Sequence, residues 1–468
     1  MHLGTADITE ATRGRLAGPD VTVTGVDFDS RTCPHGFLFV PVVAERDGHD
    51  FIASAVGRGA AAYLSARGPV TGAGAATCIE VADTAIALSD IGRLARRRLP
   101  DRVVAVTGSV GKSSVKDLAG AVLSVRWVTA ASPGNFNNEL GLPVTLANAP
   151  DGAEAAMLEM GARGIGHIAA LCEVARPTVG IVTLVAAVHT EVFGSIEDVA
   201  RGKGELIESL PENGTAVLNA ADPRVMAMVF RTRARSLTFA GASPSPGAGP
   251  SAGSGPSGPS GPSGRTATAD VAAEDVELDE QLRPRFKLVS PWGSAPVRLE
   301  ARGEHNVGNA LAAAAAGLSL GLSPEEVAAG LGAARLSHWR MELATAPGGA
   351  RVLNDAYNAS PTSLEAALRA VERLEGRRHL AVLGVMAELG PERVAEHRRL
   401  GELAASLGIH VIPVDTAEYG PAPVSGWQGA LDALEALNPP LGVGDVVLVK
   451  GSRVAGLERV AEALLAPV

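Results

Sequence analysis

The chain has 468 residues, 46% of them hydrophobic, with a net charge of −10 and three cysteines. That length exceeds one ordinary core, so about two to four domains are expected. The acidic balance and the lack of any basic stretch argue against a nucleic-acid binder, because nothing would neutralise a phosphate backbone.

Met1–Gly18 carries Asp7, Glu10 and two arginines and no apolar core, which excludes a signal peptide there. Cys33, Cys78 and Cys172 are scattered and form neither a metal-ligand spacing nor a disulfide framework, as suits a reducing cytoplasm. Residues 1–100 hold short strands and turns without a phosphate signature. The apolar run Val103–Val106 then stops at Thr107-Gly108-Ser109-Val110-Gly111-Lys112-Ser113-Ser114, and a helical pattern follows from Val115. This order suits a nucleotide-phosphate cradle. Loop N–H groups and the helix N-terminus face the anion, Lys112 neutralises charge, and Ser113 can ligate Mg²⁺. The general P-loop pattern wants a glycine where Val106 stands, so this is a shorter Thr-Gly-x-x-Gly-Lys-Ser form.

Further along, the run Ala155–Leu158 ends in Glu159. A carboxylate at the carboxyl end of a parallel strand points into the ligand crevice of an open α/β sheet, where it could hold Mg²⁺. A second run, Val179–Leu184, precedes His189, and a helix over Ile196–Leu210 carries Lys203, for which a solvated role is the default. The segment Gly241–Gly264 is almost wholly Gly, Ser, Pro and Ala and reads as a flexible surface insertion. Strand patterns on either side, Ser236–Ala240, Asp270–Leu278 and Arg285–Val289, place it inside one domain. The alanine-rich stretch Ala310–Leu320 is too short to span a bilayer and reads as a buried helix. The runs Leu380–Leu383, Val411–Val414 and Val446–Val449 follow, then an amphipathic helix after Gly456. Alternating strand and helix patterns predict an α/β protein with mostly parallel sheets, divided into residues 1–100, 101–336 and 337–468. A nucleotide domain between two others implies a second substrate in an interdomain cleft. A soluble, cytoplasmic monomer is expected, with no membrane partner.

Four motifs together resemble the Mur ligases, ATP-dependent amide-bond ligases of peptidoglycan precursor assembly. They are the phosphate loop, Gly134-Asn135-Phe136-Asn137-Asn138-Glu139-Leu140-Gly141, Leu158-Glu159-Met160-Gly161, and Gly303-Glu304-His305-Asn306-Val307-Gly308-Asn309. Three more stretches are similar to the member that joins D-alanyl-D-alanine to UDP-N-acetylmuramoyl tripeptide. These are Asp29-Ser30-Arg31 with Asp47-Gly48-His49-Asp50-Phe51, Asn354-Asp355-Ala356-Tyr357-Asn358-Ala359-Ser360-Pro361, and Val449-Lys450-Gly451-Ser452-Arg453. The resemblance implies a small UDP-sugar-binding N-terminal domain, a central P-loop ATPase domain and a C-terminal Rossmann-like domain. It implies that ATP phosphorylates the tripeptide carboxylate and that the dipeptide amine attacks the acyl phosphate, with ADP formed.

The resemblance also implies residue roles. Ser113 and Glu159 would hold one Mg²⁺; His189 and a carbamylated Lys203 would form a second metal site. Ser30, Arg31, Asp47, Gly48 and His49 would hold the UDP-sugar end, and Asn135, Asn137 and Asn138 would line the cleft near the peptide. Asn306 and Asn309 would face the adenine, Arg340 would swing toward the ATP phosphates, and Asp355 would contact the ribose, with Tyr357 and Asn358 nearby. Lys450, Ser452 and Arg453 would meet the incoming dipeptide, for whose carboxylate an arginine fork is suited. The chain departs from the family pattern at Leu184, where asparagine is usual, and at Ala221 and Val385, where carboxylates are usual. Each replacement removes a polar group near the nucleotide cleft or domain contacts, at a cost of about 0.5–1.5 kcal/mol per lost hydrogen bond. They leave two alternatives: a ligase of the same chemistry with a different acceptor, or a weakly active nucleotide-binding scaffold of cell-wall assembly.

Overall fold

Three helix-covered sheets organise the chain in the computed structural model, which describes residues 1–186, 193–241 and 269–467. His189 and all of the Gly/Ser/Pro segment after Gly241 lie outside the described residues. In the first region β1 (Leu3–Gly4) pairs with β3 (Thr22–Val23). Beside them β2 (Arg15–Ala17), β4 (Val26–Asp27), β5 (Leu38–Phe39), β6 (Ala62–Ser65) and β7 (Thr77–Glu80) form a sheet in the order β2-β7-β6-β5-β4.

The central sheet has nine strands. Its parallel part begins with six strands, β8 (Val103–Thr107), β9 (Thr129–Ala131), β10 (Ala155–Glu159), β11 (Val179–Val182), β12 (Thr215–Asn219) and β13 (Arg235–Ala240). Their order is β13-β12-β11-β8-β10-β9. Beyond β13, β14 (Val271–Leu278) joins in parallel, and β15 (Pro284–Ser290) and β16 (Gly293–Arg298) complete the sheet antiparallel. The third sheet contains β17 (Glu342–Thr345), β18 (Arg351–Asn354), β19 (Arg378–Leu383), β20 (Ile409–Pro413) and β21 (Asp445–Lys450) in the order β17-β18-β21-β19-β20, with only β17 antiparallel.

β8 explains why the central sheet is buried on both faces. Its side chains alternate between two cores, Val103 and Ala105 in one and Val104 and Val106 in the other. The first core continues into the N-terminal sheet through Leu38, Leu64 and Ile79 and into the helix Thr84–Arg96 through Leu88 and Ile91. The N-terminal region is therefore fused to the central sheet by shared apolar packing. Asn148 adds a polar link, accepting the Val26 N–H at 2.7 Å and donating to its carbonyl at 2.8 Å.

The second core packs the alanine-rich helix His305–Ser319 and the helix Pro324–Ala333 on the helix Lys112–Ser124. Small residues allow the close approach. A β-carbon at Gly330 would stand 2.5 Å from Val122 Cα, and one at Gly317 would stand 2.6 Å from Val122 Cγ1. Parallel order reverses at β8, with β10 on one side and β11 on the other, so a crevice opens at the carboxyl ends of these three strands. Among the described residues, no helix is long and apolar enough to cross a membrane.

Two outcomes follow from this packing. Gly330→Ala forces a methyl against backbone and should lower unfolding stability by about 1–3 kcal/mol in urea titration; unchanged stability would show that the helices can separate freely. Asp445, buried at the start of β21, is held well below the usual carboxylate range by hydrogen bonds from Arg378, the Gly442 N–H and Arg377, against the opposing effect of burial. Its charge stabilises the fold above the ordinary carboxylate value near pH ~4, and this contribution fades as pH falls from there toward the folded value. Asp445→Asn should therefore flatten the acid side of the stability–pH curve, and an unaltered acid limb would count against the pair.

Candidate active site

The phosphate loop leaves β8 at Thr107 and enters the helix Lys112–Ser124 through Gly108 (φ 147°) and Gly111 (φ 89°). Both glycines are demanded twice over, by conformation and by space. A β-carbon at Gly108 would lie 1.8 Å from Thr183 Oγ1, and one at Gly111 would lie 2.6 Å from Asn309 Oδ1. The chain after β11 clasps the loop. Thr183 Oγ1 donates to the Val110 carbonyl at 2.6 Å, and Ser109 N–H donates to the Leu184 carbonyl at 2.8 Å. Ser109 Oγ accepts the Ala186 N–H at 2.9 Å. The expected strand over Val179–Leu184 thus ends at Val182, because Thr183 and Leu184 leave the sheet to hold the loop.

Lys112 Nζ donates to the Gly108 and Ser109 carbonyls at 2.9 and 3.3 Å. Desolvation in the crowded crevice lowers its ammonium below the ordinary lysine value, Glu159 opposes that, and the Arg340 charge reinforces it. Glu159, 2% exposed, ends β10. Its N–H donates to Ser132 Oγ at 3.1 Å, and its Oε1 accepts from Asn137 Nδ2 at 2.9 Å. Glu159 Oε2 and Thr107 Oγ1 are buried with no hydrogen-bond partner among the described residues. A buried carboxylate oxygen left bare is costly. With the neighbouring Ser113 hydroxyl it makes a hard-oxygen donor set of the kind Mg²⁺ takes. Among the described residues, no group of three or more His, Cys, Asp or Glu gathers as a metal cluster.

Lys203 is also 2% exposed, within the helix Ile196–Glu208 that Ser195 caps. It is therefore not the solvated lysine that its helix suggests. Burial, reinforced by the Lys112 charge, holds its amine well below the usual lysine range. That lowering favours the uncharged amine, the form that can bind carbon dioxide as a carbamate. Lys112, Glu159 and Lys203 thus belong to one crevice, whereas His189 lies outside the described residues.

The third region enters through a short linker. Ser337 donates its N–H and its hydroxyl to Asp117 Oδ2 at 2.7 and 2.8 Å. Trp339 (φ 60°) and Met341 (φ 52°) flank Arg340. The Arg340 guanidinium stacks 4.1 Å above the Tyr357 ring, and its Nε is buried without a partner among the described residues.

Several residues expected to meet ligands also hydrogen-bond within the protein. Asp355 accepts the Met341 N–H at 3.1 Å with one oxygen and pairs with Lys450 through the other. Lys450, 2% exposed, also donates to the Asn358 carbonyl at 3.0 Å and so braces its own domain. Ser452 Oγ accepts the Ala387 N–H at 2.9 Å. Arg453, 54% exposed, stacks on Trp339 and pairs with Glu458, and it remains the solvent-facing cation of that trio. His49 has both ring nitrogens engaged, Nδ1 with Asp47 at 2.7 Å and Nε2 accepting the Ala66 N–H at 3.0 Å. It shapes the turn together with Gly48, whose β-carbon would lie 2.5 Å from the Val42 nitrogen. Arg31 is exposed and forks onto Asp29, with Ser30 half-buried beside it.

Asn138 Oδ1 accepts the Gly141 N–H at 2.9 Å and so starts the helix Gly141–Ala147, while Asn135 is exposed and Asn358 likewise. Asn306, 1% exposed, accepts from Asn309 Nδ2 at 2.7 Å and so orients the amide that abuts Gly111. Sequence reasoning passed over Thr183, Ser132 and Asp117. The first two follow or end apolar strand runs, the same signal that marked Glu159; nothing local marks Asp117. At the three departures the main chain bears the local bonds. The carbonyls of Leu184 and Val385 accept from Ser109 and Ser452, and the Ala221 N–H donates to Asn219 Oδ1 at 3.0 Å.

A P-loop crevice at a sheet reversal, joined to a second parallel-sheet domain by an arginine-bearing linker, defines a nucleotide-dependent ligase framework. The Mur ligase middle-domain profile matches residues 106–317, and the Mur ligase glutamate-ligase-domain profile matches residues 339–453. The chain belongs to the Mur ligase family. The UDP-N-acetylmuramoyl-tripeptide–D-alanyl-D-alanine ligase of Mycobacterium tuberculosis is 39% identical, over 100% of this chain and 98% of that protein. The enzyme of the same name from Escherichia coli is 34% identical over 98% of this chain and 97% of its own. MurF from Acinetobacter baumannii superposes with a TM-score of 0.84 at 27% identity, covering 99% of both chains. MurF from Thermotoga maritima, solved with ADP, gives 0.72 at 26% identity, covering 94% of this chain and 96% of that one.

The clasp on the loop sets a direct test. Gly111→Ala should weaken ADP binding about tenfold, equivalent to about 1.4 kcal/mol, in calorimetric titration. Wild-type affinity in that variant would mean that Asn309 and the loop can part without consequence.

Proposed function

We propose that this chain is the ATP-dependent, ADP-forming ligase that joins D-alanyl-D-alanine to UDP-N-acetylmuramoyl tripeptide in peptidoglycan precursor synthesis. The observation that carries the reading is the convergence of Lys112, Glu159, Lys203 and Arg340 on one crevice. Two anions, a carboxylate and a triphosphate, must meet there, so charge neutralisation matters more than a protein nucleophile.

In this reading a tripeptide carboxylate oxygen attacks the γ-phosphorus and ADP leaves. The dipeptide amine then attacks the acyl carbon, loses its proton, and phosphate departs. Lys112 and the N–H groups at the start of its helix hold the phosphates in line. Arg340 adds a planar cation from the third domain. Glu159 and Ser113 would hold Mg²⁺, which spreads the phosphate charge when bound. Lys203, as a carbamate, would add an anionic oxygen to a second metal site. The exposed Arg453 is the group best placed to fork onto the dipeptide carboxylate, with Lys450 and Ser452 shaping the loop that presents it. Exposed Asn135 and half-buried Asn137 line the peptide side, and Arg31 with Ser30 offers the solvent-facing part of a UDP-sugar site. Residues 1–100, 101–336 and 337–468 serve as sugar, nucleotide and acceptor domains of a cytoplasmic monomer.

The purified protein should release phosphate only when ATP, the UDP-linked tripeptide and D-alanyl-D-alanine are all present. Equal release with unrelated amino acids or dipeptides would refute the acceptor assignment. With ¹³C-bicarbonate, a carbamate carbon resonance should appear in the wild type and vanish in Lys203→Met. A spectrum that is the same for both proteins would remove Lys203 from the metal site.

A further inference from the structure

The geometry points to Asp117 as a positioning residue that places Arg340 at the phosphate loop without touching any ligand itself. Asp117 sits in the second turn of the phosphate-loop helix, and its carboxylate works in two directions. Oδ2 accepts both the N–H and the hydroxyl of Ser337, at 2.7 and 2.8 Å. Oδ1 pairs with Lys116 Nζ at 2.7 Å. Lys116, whose side chain is 4% exposed, donates to the Ser132 carbonyl at 3.0 Å, and Ser132 Oγ accepts the Glu159 N–H at 3.1 Å. One continuous chain of contacts therefore runs from the interdomain linker to the backbone of Glu159.

Such a buried ion pair adds little net stability, because desolvation offsets the attraction; holding one arrangement is its best-attested use. The arrangement here is the linker. Ser337 hydrogen-bonds it to the nucleotide domain. Beyond it, Trp339 and Met341 take left-handed backbone conformations on either side of Arg340. Non-glycine residues keep such conformations only where the surroundings impose them. On the far side the imposing groups are visible: Tyr357 N–H donates to the Trp339 carbonyl at 3.2 Å, and Asp355 accepts the Met341 N–H at 3.1 Å. On the near side the anchor is Asp117. Between the two, the Arg340 guanidinium stands 4.1 Å from the centre of the Tyr357 ring, with its Nε buried and unpartnered among the described residues. That unpartnered donor, close to Lys112, marks a place for an anion. The anion of matching chemistry is the terminal phosphate of a nucleoside triphosphate, so the inference rests on reading the loop as a triphosphate site.

A double-mutant cycle separates positioning from plain structural support. Wild type, Asp117→Asn, Arg340→Ala and the double variant are titrated with ADP and with a non-hydrolysable ATP analogue, and their unfolding midpoints are compared. Asp117→Asn should weaken the triphosphate analogue about tenfold while leaving ADP within about twofold. In the Arg340→Ala background the same change should cost less than about twofold, because the group it places is gone. Ser337→Ala, which removes one of the two linker bonds and leaves the helix intact, should shift the analogue in the same direction by less; it carries the cycle if Asp117→Asn does not fold. Equal weakening of ADP and analogue, equal weakening with and without Arg340, or no weakening would each overturn the proposal. A wild type without turnover would sink the ligase reading and leave this affinity cycle readable.

Discussion

The rest of the structure depends on one close fit, the phosphate loop held without clearance between Thr183 and the Asn309 amide. Gly108 meets the threonine and Gly111 meets the amide, so neither position can carry a side chain. For the fit to exist, β11 must end early, and the helix His305–Ser319 must lie almost in backbone contact with the phosphate-loop helix. The alanine run and Gly317 supply that nearness, and Gly330 does the same for the helix Pro324–Ala333. Packing by small residues is therefore part of what shapes the phosphate loop.

Charge is the second constraint. Lys112, Lys203 and Arg340 crowd one crevice, and desolvation lowers both lysines. Lys112 and Arg340 repel one another in the protein alone, and the negative charges of a triphosphate would restore Lys112 toward its charged form. Glu159 balances part of this positive charge, yet one of its oxygens has no partner among the described residues.

Much of this was legible in the sequence where the chemistry is local. The loop, the strand-end position of Glu159 and the parallel sheets all follow from short patterns of glycine, hydroxyl and β-branched residues. The parts that were not legible depend on distance along the chain. Lys203 reads as a solvated helical lysine until the fold buries it beside Lys112. Lys450 and Ser452 sit in a motif that suggests a ligand surface, but β21 ends inside the domain, and their donors meet Asp355, Asn358 and Ala359. His49 similarly faces its own turn and the Ala66 amide. Short motifs record that a residue matters and do not record whether it meets a ligand or the protein.

The three apolar departures can be weighed on the same ground. Leu184 and Val385 contribute carbonyl oxygens to their hydrogen bonds, and Ala221 contributes an N–H, all of which any residue at those positions would supply. The polar side chains that hold this part of the crevice come from neighbours. Asn219 donates to the Thr183 carbonyl at 2.7 Å, and Asp222 accepts the Val185 N–H at 2.7 Å. The replacements therefore leave the clasp on the phosphate loop intact, and their effect is confined to whatever a side chain there would offer a ligand. A nucleotide-binding scaffold relieved of catalysis would have no reason to keep Lys203 buried beside Lys112, since an apolar side chain in that place would spare the desolvation of an amine. Retention of that costly group, beside apolar changes that spare the loop, favours a working ligase over an inert scaffold.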